Sequence, residues 1–465
     1  MPFKALGAHD GDNRLWSEIQ ATYRLTEAKA VNRFLGKTLF GDDEQLKVQQ
    51  MAIQLINGVR QQKPKSLSVE GFLQMHQLSS QEGLALMSLA EALLRIPDKS
   101  TKNHLIREKV SESNWPTKQN DPFIARLANL GLLATSKILN FGLGSHKIIS
   151  TLTSLVRRFG EPLIRQLMAQ AMKIMSQQFI TGETMTQALK RAHTLQEKGY
   201  RYSYDMLGEA ARTQKDALRY LESYQQAIAE IATTVANDGK QVYDRPGLSV
   251  KLTALHPRFK WTQKDRVFAE LVPVLVDLCQ RAKQAGISIT IDAEESERLE
   301  LSLKVIEQVF AHPDLKDWEG MGLAVQAYQK RAPAVIDWLI GLAKTYQKRL
   351  GVRLVKGAYW DSEIKRTQEN GLTDYEVYTQ KVYTDISYLT CADQLFQAAD
   401  WVYPQFATHN SYTLSAVYQL AQKYGVRQYE FQRLQGMGEA LYQQITENSD
   451  LCRSLPYLCA CGGLP

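Results

Sequence analysis

Apolar positions recur at helical spacing through the first ~190 residues and nowhere alternate in the manner of strands. The runs Trp16–Phe40, Gln45–Val59, Val69–Leu94, Pro122–Leu139, Ile148–Phe179 and Thr184–Glu197 predict helices. Between them, Asp98 to Gln119 is polar and holds Pro116, which predicts a linker or loop. Met168, Met172 and Met175 share one helical face and read as core filling.

Near Tyr200 the rhythm changes to short apolar runs separated by longer helical patterns. Strands are predicted at Tyr202–Leu207, Leu248–Leu255, Ser288–Glu294, Gly322–Tyr328, Val352–Ala358, Tyr403–Thr408 and Gln428–Leu434. Helices are predicted at Glu209–Ala236, Lys264–Ala285, Ser296–Ala311, Ala332–Leu350, Tyr375–Ala399 and Thr413–Lys423. Strands that alternate with helices pair in parallel, because a parallel pair needs a crossover connection. The pattern predicts a TIM-type (βα)8 barrel preceded by an all-α region, one strand short of the eight that close such a barrel. A doubly wound sheet is the alternative. No Gly-x-Gly-x-x-Gly follows the first strand, which disfavours a Rossmann dinucleotide site.

Composition narrows the class without deciding it. The 465 residues are 44% hydrophobic and 23% charged, which excludes a disordered or fibrous chain. Lys and Arg exceed Asp and Glu by 56 − 49 = 7, too mild an excess to argue for nucleic acid. No apolar stretch is long enough to span a membrane, and MPFKALGAHD lacks the apolar core of a signal peptide. Of the five cysteines, Cys452, Cys459 and Cys461 crowd the C-terminus without His partners at ligand spacing, so neither a disulfide framework nor a metal site is expected.

Catalytic groups of such barrels stand at the C-terminal ends of the strands. Those ends carry Lys251 and His256, then Asp292, Glu294 and Glu295, then Gln326 and Tyr328. They continue with Arg353, Lys356, Gly357, Tyr359 and Trp360, with Thr408, His409 and Asn410, and with Glu430, Gln432 and Leu434. Charged groups inside apolar strands are costly unless paired, so their recurrence predicts a convergent polar pocket. Each also has a plainer reading. Lys251 could lie along the rim, Asp292 could cap a helix, and Arg353 and Lys356 could be neutralised by Glu294 or Glu430. The residues alone predict a cationic, aromatic pocket suited to an anionic cofactor with a flat ring and a small anionic substrate.

Five motifs carry a resemblance. Ser249-Val-Lys-Leu-Thr-Ala-Leu-His-Pro257, Ile291-Asp-Ala-Glu-Glu295, Gly351-Val-Arg-Leu-Val-Lys-Gly-Ala-Tyr-Trp360, Pro404-Gln-Phe-Ala-Thr-His-Asn410 and Tyr429-Glu-Phe-Gln432 resemble the proline dehydrogenase half of bacterial proline utilization A, in family order, from about Gly11 to Tyr442. The resemblance implies FAD-dependent oxidation of L-proline to pyrroline-5-carboxylate, on the route to glutamate, with electrons passed to quinone. It implies that Arg353 lies beside the hydride-accepting nitrogen of the flavin. It implies cofactor contacts from Gln326, Lys356, Gly357, Trp360, Thr379, Lys381, Thr408, His409, Asn410 and Gln432. Lys251 would pair with the proline carboxylate, Asp292 would organise that cluster, and Tyr359 and Leu434 would wall the substrate ring. The implied domains are a helical dimerisation arm (1–40), a helical linker domain (41–198), the barrel (199–445) and an aberrant tail (446–465). A homodimer is implied, with no specific nucleic acid for this chain. The implied location is cytoplasmic or peripheral at the inner face of the membrane, with membrane contact confined to the full-length family.

The tail departs from the family. There the chain continues into an eighth strand resembling Cys-Arg-Ile-Tyr-Ala-Pro-Val-Gly and a helix with an Arg pair that clamps the substrate carboxylate. Here it reads Leu455-Pro-Tyr-Leu-Cys-Ala-Cys-Gly-Gly-Leu-Pro465, which is what a one-base shift of reading frame within that strand would encode. The expectation is therefore a barrel that lacks its eighth strand and helix, with open sheet edges. Proline oxidation would be weak, and the alternative is an inactive remnant that keeps only its helical interaction surface. An unrelated phosphate-binding barrel would need a glycine-rich loop after the seventh strand, and Gln435-Gly-Met-Gly438 is a faint version of one.

Overall fold

Main-chain pairing runs unbroken round eight parallel strands in the computed structural model of the chain. The structure describes residues 10–34, 36, 38–62, 180–206, 208–235, 239–447 and 458–464. The strands are β1 (Tyr200–Met206), β2 (Gly247–Val250), β3 (Ser288–Ile291), β4 (Met321–Gln326), β5 (Leu350–Val355), β6 (Val402–Ala407), β7 (Glu430–Leu434) and β8 (Leu458–Leu464). Each pairs with its neighbours in sequence order, and β8 returns to β1. The (βα)8 expectation holds, and the doubly wound alternative does not.

Alternation along the strands explains the composition of the barrel. Successive side chains in a closed barrel point alternately inward and outward. The outward set, including Leu248, Val250, Ile289, Ile291, Leu323, Val325, Val352, Leu354, Phe406 and Phe431, is buried in the main core beneath the helices. The intervening positions Ser203, Ser249, Thr290, Arg353, Gln405, Glu430 and Gln432 are buried and polar. The inner layer therefore rests on hydrogen bonds, such as those from Gln405 and Gln432 to Glu430 at 2.9 and 2.5 Å.

The outer ring includes α5 (Gln214–Ala232), α7 (Lys264–Ala285), α8 (Leu299–Phe310), α9 (Ala332–Tyr346), α11 (Lys381–Gln397), α12 (Ser411–Tyr424) and α13 (Glu439–Glu447). Helix α5 opens with a capping box between Thr213 and Asp216. Helices α7 and α12 stop at Gly286 and Gly425, both left-handed, as a helix end that turns back into a strand requires. Two short helices interrupt predicted strand or loop. The second strand stops at Val250, and Leu252–Leu255 forms α6, because Thr253 there accepts the backbone N–H groups of Ala210 and Ala211. Helix α10 (Trp360–Glu369) carries almost no apolar periodicity, since only Glu363 and Thr367 are buried along it.

At the N-terminal end lie α1 (Asp10–Ala21), α2 (Glu27–Asn32) and α3 (Asp42–Gln61), with α4 (Met185–Gln196) leading into β1. The predicted single helix Trp16–Phe40 is broken after Ala21. There the Thr22 hydroxyl turns back to the Glu18 carbonyl at 2.7 Å. Helix α1 packs on the barrel helices of its own chain, with Trp16 edge-on to Trp338 at 5.9 Å and the Lys304 ammonium over the Trp16 ring. The chain divides into two units, Met1–Gln61 with Ile180–Pro465, and Gln62–Phe179. The expectations for Val69–Leu94, Asp98–Gln119, Pro122–Leu139, Ile148–Phe179 and the methionine face lie outside the described residues.

The eighth strand corrects the sequence reading. Leu458–Leu464, seven residues of the supposedly aberrant tail, pair with β1 from Tyr200↔Leu458 to Met206↔Leu464. They also pair with β7 from Phe431↔Leu458 to Leu434↔Cys461. Strand pairing is made by main-chain N–H and C=O groups, which every non-proline residue supplies. A small-residue run can therefore fill the last position without the family's side chains, and closure removes the edges that β1 and β7 would otherwise expose.

Candidate functional site

The strand ends converge on one charged cluster. Lys251 follows β2 at the mouth and holds two carboxylates, Asp205 from the end of β1 and Asp292 from just beyond β3, each at 3.0 Å from its Nζ. Asp292 uses its other oxygen to accept from Arg353 at 3.0 Å. The Arg353 guanidinium also donates to Ser249 Oγ at 2.9 Å and Ser203 Oγ at 2.8 Å. Four strands thus fix Arg353 inside the barrel. The plainer readings of these residues fall away. Lys251 is paired rather than laid along the rim, Asp292 caps no described helix, and Arg353 is neutralised by Asp292 rather than by Glu294 or Glu430.

Burial and mutual charge set the protonation of the cluster. Burial opposes the Lys251 ammonium, but the Asp292 and Asp205 carboxylates outweigh it and hold its pKa above the ordinary lysine value. Asp205 moves the other way. Burial first, and repulsion from Asp292 second, push its carboxyl up to about 6. Asp205 was not among the residues singled out in the sequence. The signal was present, since an acid closes a strand whose partner carries Lys251, but one unmatched acid at a strand end is ordinary.

A second group gathers where β5 and β6 exit. Lys356 reaches Asp385 of α11 at 2.5 Å and Thr413 of α12 at 3.1 Å. Lys381 reaches the other Asp385 oxygen at 2.6 Å. Burial lowers the Lys356 pKa. At the first turn of α12, the Asn410 side chain accepts the Thr413 N–H at 2.9 Å. One carboxylate thus stands against two ammonium groups beside a helix N-terminus. That donor set suits an anionic phosphate group. Gly357 sits between the two groups with φ +141°, and a Cβ there would meet the Tyr328 ring at 2.4 Å. Only glycine fits this approach.

Glu430, predicted at a strand's C-terminal end, instead opens β7 and bonds Gln405 and Tyr403 inside the barrel; other predicted residues are tied to the loops of the mouth. Gln326 donates to the Glu294 carbonyl at 2.9 Å and accepts from the Ala358 N–H at 3.0 Å, bracing the loops after β3 and β5. His409 Nε2 accepts the Leu434 N–H at 3.0 Å. Burial, with nearby Arg433, lowers the His409 pKa, so the ring is neutral with its proton on Nδ1. Thr408 N–H donates to the Gln432 carbonyl at 3.2 Å. The Tyr359 hydroxyl donates to Glu209 at 3.2 Å. Trp360 and Leu434 keep about two fifths and half of their surface exposed. Thr379, expected at the cofactor, gives its N–H and hydroxyl to Glu27 of α2. Among the described residues, no helix is long and apolar enough to cross a membrane.

Known proteins resemble the chain over most of its length. A family model described as "Proline dehydrogenase" matches residues 188–461, and one described as "DNA-binding domain of Proline dehydrogenase" matches residues 68–179. The bifunctional protein PutA of Escherichia coli K12 is 51% identical over 434 residues, covering 92% of this chain and 33% of its own length. The bifunctional protein PutA of Rhizobium meliloti is 43% identical over 438 residues, covering 94% and 35%. The chain spans about a third of the length of these relatives. A crystal structure of a Bradyrhizobium japonicum proline utilization A mutant is 40% identical with TM-score 0.67, covering 100% of this chain and 44% of that one. The name of the second family model runs counter to the expectation of no specific nucleic acid, and the residues it matches lie outside those described.

Proposed function

The chain belongs to the proline dehydrogenase family, and from that premise we propose that its barrel oxidises L-proline to pyrroline-5-carboxylate with bound FAD. The observation that carries this reading is Arg353, held inside the barrel by Asp292, Ser203 and Ser249 with Lys251 beside it. FAD, were it bound, would supply an acceptor for the hydride that leaves the ring carbon next to nitrogen. The protein's part is to bind and orient. Lys251 pairs with the substrate carboxylate, Asp292 holds Lys251 and Arg353 apart at fixed positions, and Tyr359 and Leu434 wall the ring. Arg353 would supply fixed positive charge to stabilise the negative charge of a reduced cofactor.

The residues present fit FAD by their chemistry. Lys356, Lys381 and the first turn of α12 with Asn410 supply the donors for its pyrophosphate. Gly357 leaves its backbone open to close approach, and Trp360 offers an exposed flat face. Gln326, Thr408, His409 and Gln432 brace the loops of the mouth that would hold the ring system, and Thr379, bonded to Glu27, would have to exchange that partner to reach the cofactor. Quinone is the proposed electron acceptor, and residues 1–40 the proposed dimer contact.

The deciding experiment is a visible absorption spectrum of the purified chain with FAD, before and after proline is added without oxygen. Bound flavin that bleaches on proline supports the reading. Flavin that is absent, or that ignores proline, overturns it and leaves the remnant reading in its place.

A further inference from the structure

The acid at the end of β1 has a role that neither the strand pattern nor the family match assigns. Lys251 stands between Asp205 and Asp292 at equal distances of 3.0 Å. The two acids are not equivalent. Asp292 also holds Arg353, so it keeps a cation if Lys251 turns away. Among the described residues, Asp205 has Lys251 as its hydrogen-bond partner and no second one.

Charge counting makes the asymmetry matter. Asp205 and Asp292 balance Lys251 and Arg353, so the cluster is neutral as it stands. An anionic ligand that pairs with Lys251 adds a third negative charge in a poorly solvated place. Such a charge is unfavourable unless a proton arrives with it. The groups that face Asp205 are Lys251 and Ser249 from β2, Asp292 from β3, Arg353 from β5 and the Tyr224 hydroxyl from α5. On the remaining side, the β8 residue opposite it is Gly463, which brings no charge.

We propose that Asp205 is a positioning residue that gives up Lys251 to the carboxylate of the incoming substrate and takes one proton in exchange, from the substrate's ammonium where it has one and from solvent where it has none. The only bond formed is O–H at the Asp205 carboxylate, the only one broken is the proton donor's, and the ion pair with Lys251 is replaced. Its carboxyl, already pushed up to about 6 in the free site, is the acid placed to do so. This rests on the reading of the site as one for a cyclic amino acid.

The test uses tetrahydro-2-furoate, a ring carboxylate with an ether oxygen in place of the amine, so that every proton counted comes from solvent. Binding to the full chain with FAD is followed by calorimetry in two buffers of different ionisation enthalpy. Near pH 7 the chain should take up close to one proton per ligand. Affinity should tighten about tenfold per unit as pH falls from about 8 to 6 and level off below. Asp205→Asn should bind with no proton uptake and no pH dependence in that range. Binding without proton uptake by the unaltered chain overturns the proposal, and so does an Asp205→Asn profile equal to the original. Absence of binding at any pH overturns the cyclic amino acid reading itself, and the proposal with it. The proton count on the unaltered chain decides the matter even if the variant fails to fold.

Discussion

Glu27 receives both the backbone N–H and the hydroxyl of Thr379, at 3.1 and 2.9 Å, across 352 residues of sequence. The contact is one of a set. Arg24 pairs with the buried Glu376, Tyr23 donates to the same carboxylate at 3.3 Å, and Lys330 reaches the Leu25 carbonyl at 2.7 Å. Residues 23–27 therefore add partners to Glu376 and Lys330, beyond the Thr367 and Arg366 that the barrel itself gives Glu376. Arg24→Ala should destabilise the chain by about 1–3 kcal/mol, because Glu376 stays buried and loses one of its partners. Glu27→Ala, at a more exposed pair of bonds, should cost about 1 kcal/mol. Urea midpoints measure both, and an Arg24→Ala midpoint equal to that of the parent would show that this segment covers nothing of consequence.

Gly357→Ala tests the tight approach between β5 and Tyr328. The new methyl group meets the ring at 2.4 Å, and alanine has no ease at φ +141°. Overpacking and backbone strain together predict a loss of about 2–4 kcal/mol. A thermal unfolding curve unchanged by the substitution would mean that the Tyr328 ring moves freely.

Much of this was legible in the sequence, and the reasons are local. The strand ends at Lys251, Asp292 and Arg353 stood out because charges inside apolar runs need partners, and the partners turned out to be one another. The alternation of Ile289 and Ile291 with Ser288 and Thr290 marked a strand with one face in the barrel. Helix α10 did not stand out, because burial of Glu363 and Thr367 leaves no apolar stripe to read. Glu27 on Thr379 is a contact between distant segments of polar sequence, for which periodicity carries no signal. The eighth strand is not legible in side-chain pattern, because the pairing of Cys459 with Arg201 and Gln432 is a matter of backbone.

Arg353→Met tests the centre of the proposed chemistry. The methionine keeps the volume and removes the bonds to Asp292, Ser249 and Ser203. Loss of fixed charge of this kind lowers turnover by about 10²–10³-fold. The expected result is a folded chain with that fall in kcat/KM for proline. Retention of near-normal turnover would remove Arg353 from the mechanism.

His409 sets a pH dependence of stability. Its folded pKa lies below the ordinary value of 6.5, because burial and Arg433 disfavour the charged ring. A base depressed on folding contributes stability that is complete above its unfolded pKa and is lost as pH falls through the folded one. Protonation would also remove the Nε2 lone pair that accepts the Leu434 N–H. Unfolding midpoints measured downward from about pH 7.5 should therefore fall less steeply for His409→Gln than for the parent below about pH 6. Parallel slopes would sink the assignment.

Closure by β8 is tested with Ala460→Pro. Ala460 lies opposite Tyr202 of β1 and Arg433 of β7, so it sits at the centre of the closing strand. Proline there has no N–H for the ladder and clashes in a central strand. If the tail closes the barrel, the substitution should cost about 3 kcal/mol. It should also raise amide exchange along β1 and β7 together, because an opened barrel frees both edges at once. The same substitution at a tail that merely lay alongside would leave exchange on both strands unchanged. Deletion of residues 458–465 gives the control, since it should reproduce the exchange pattern of Ala460→Pro strand for strand.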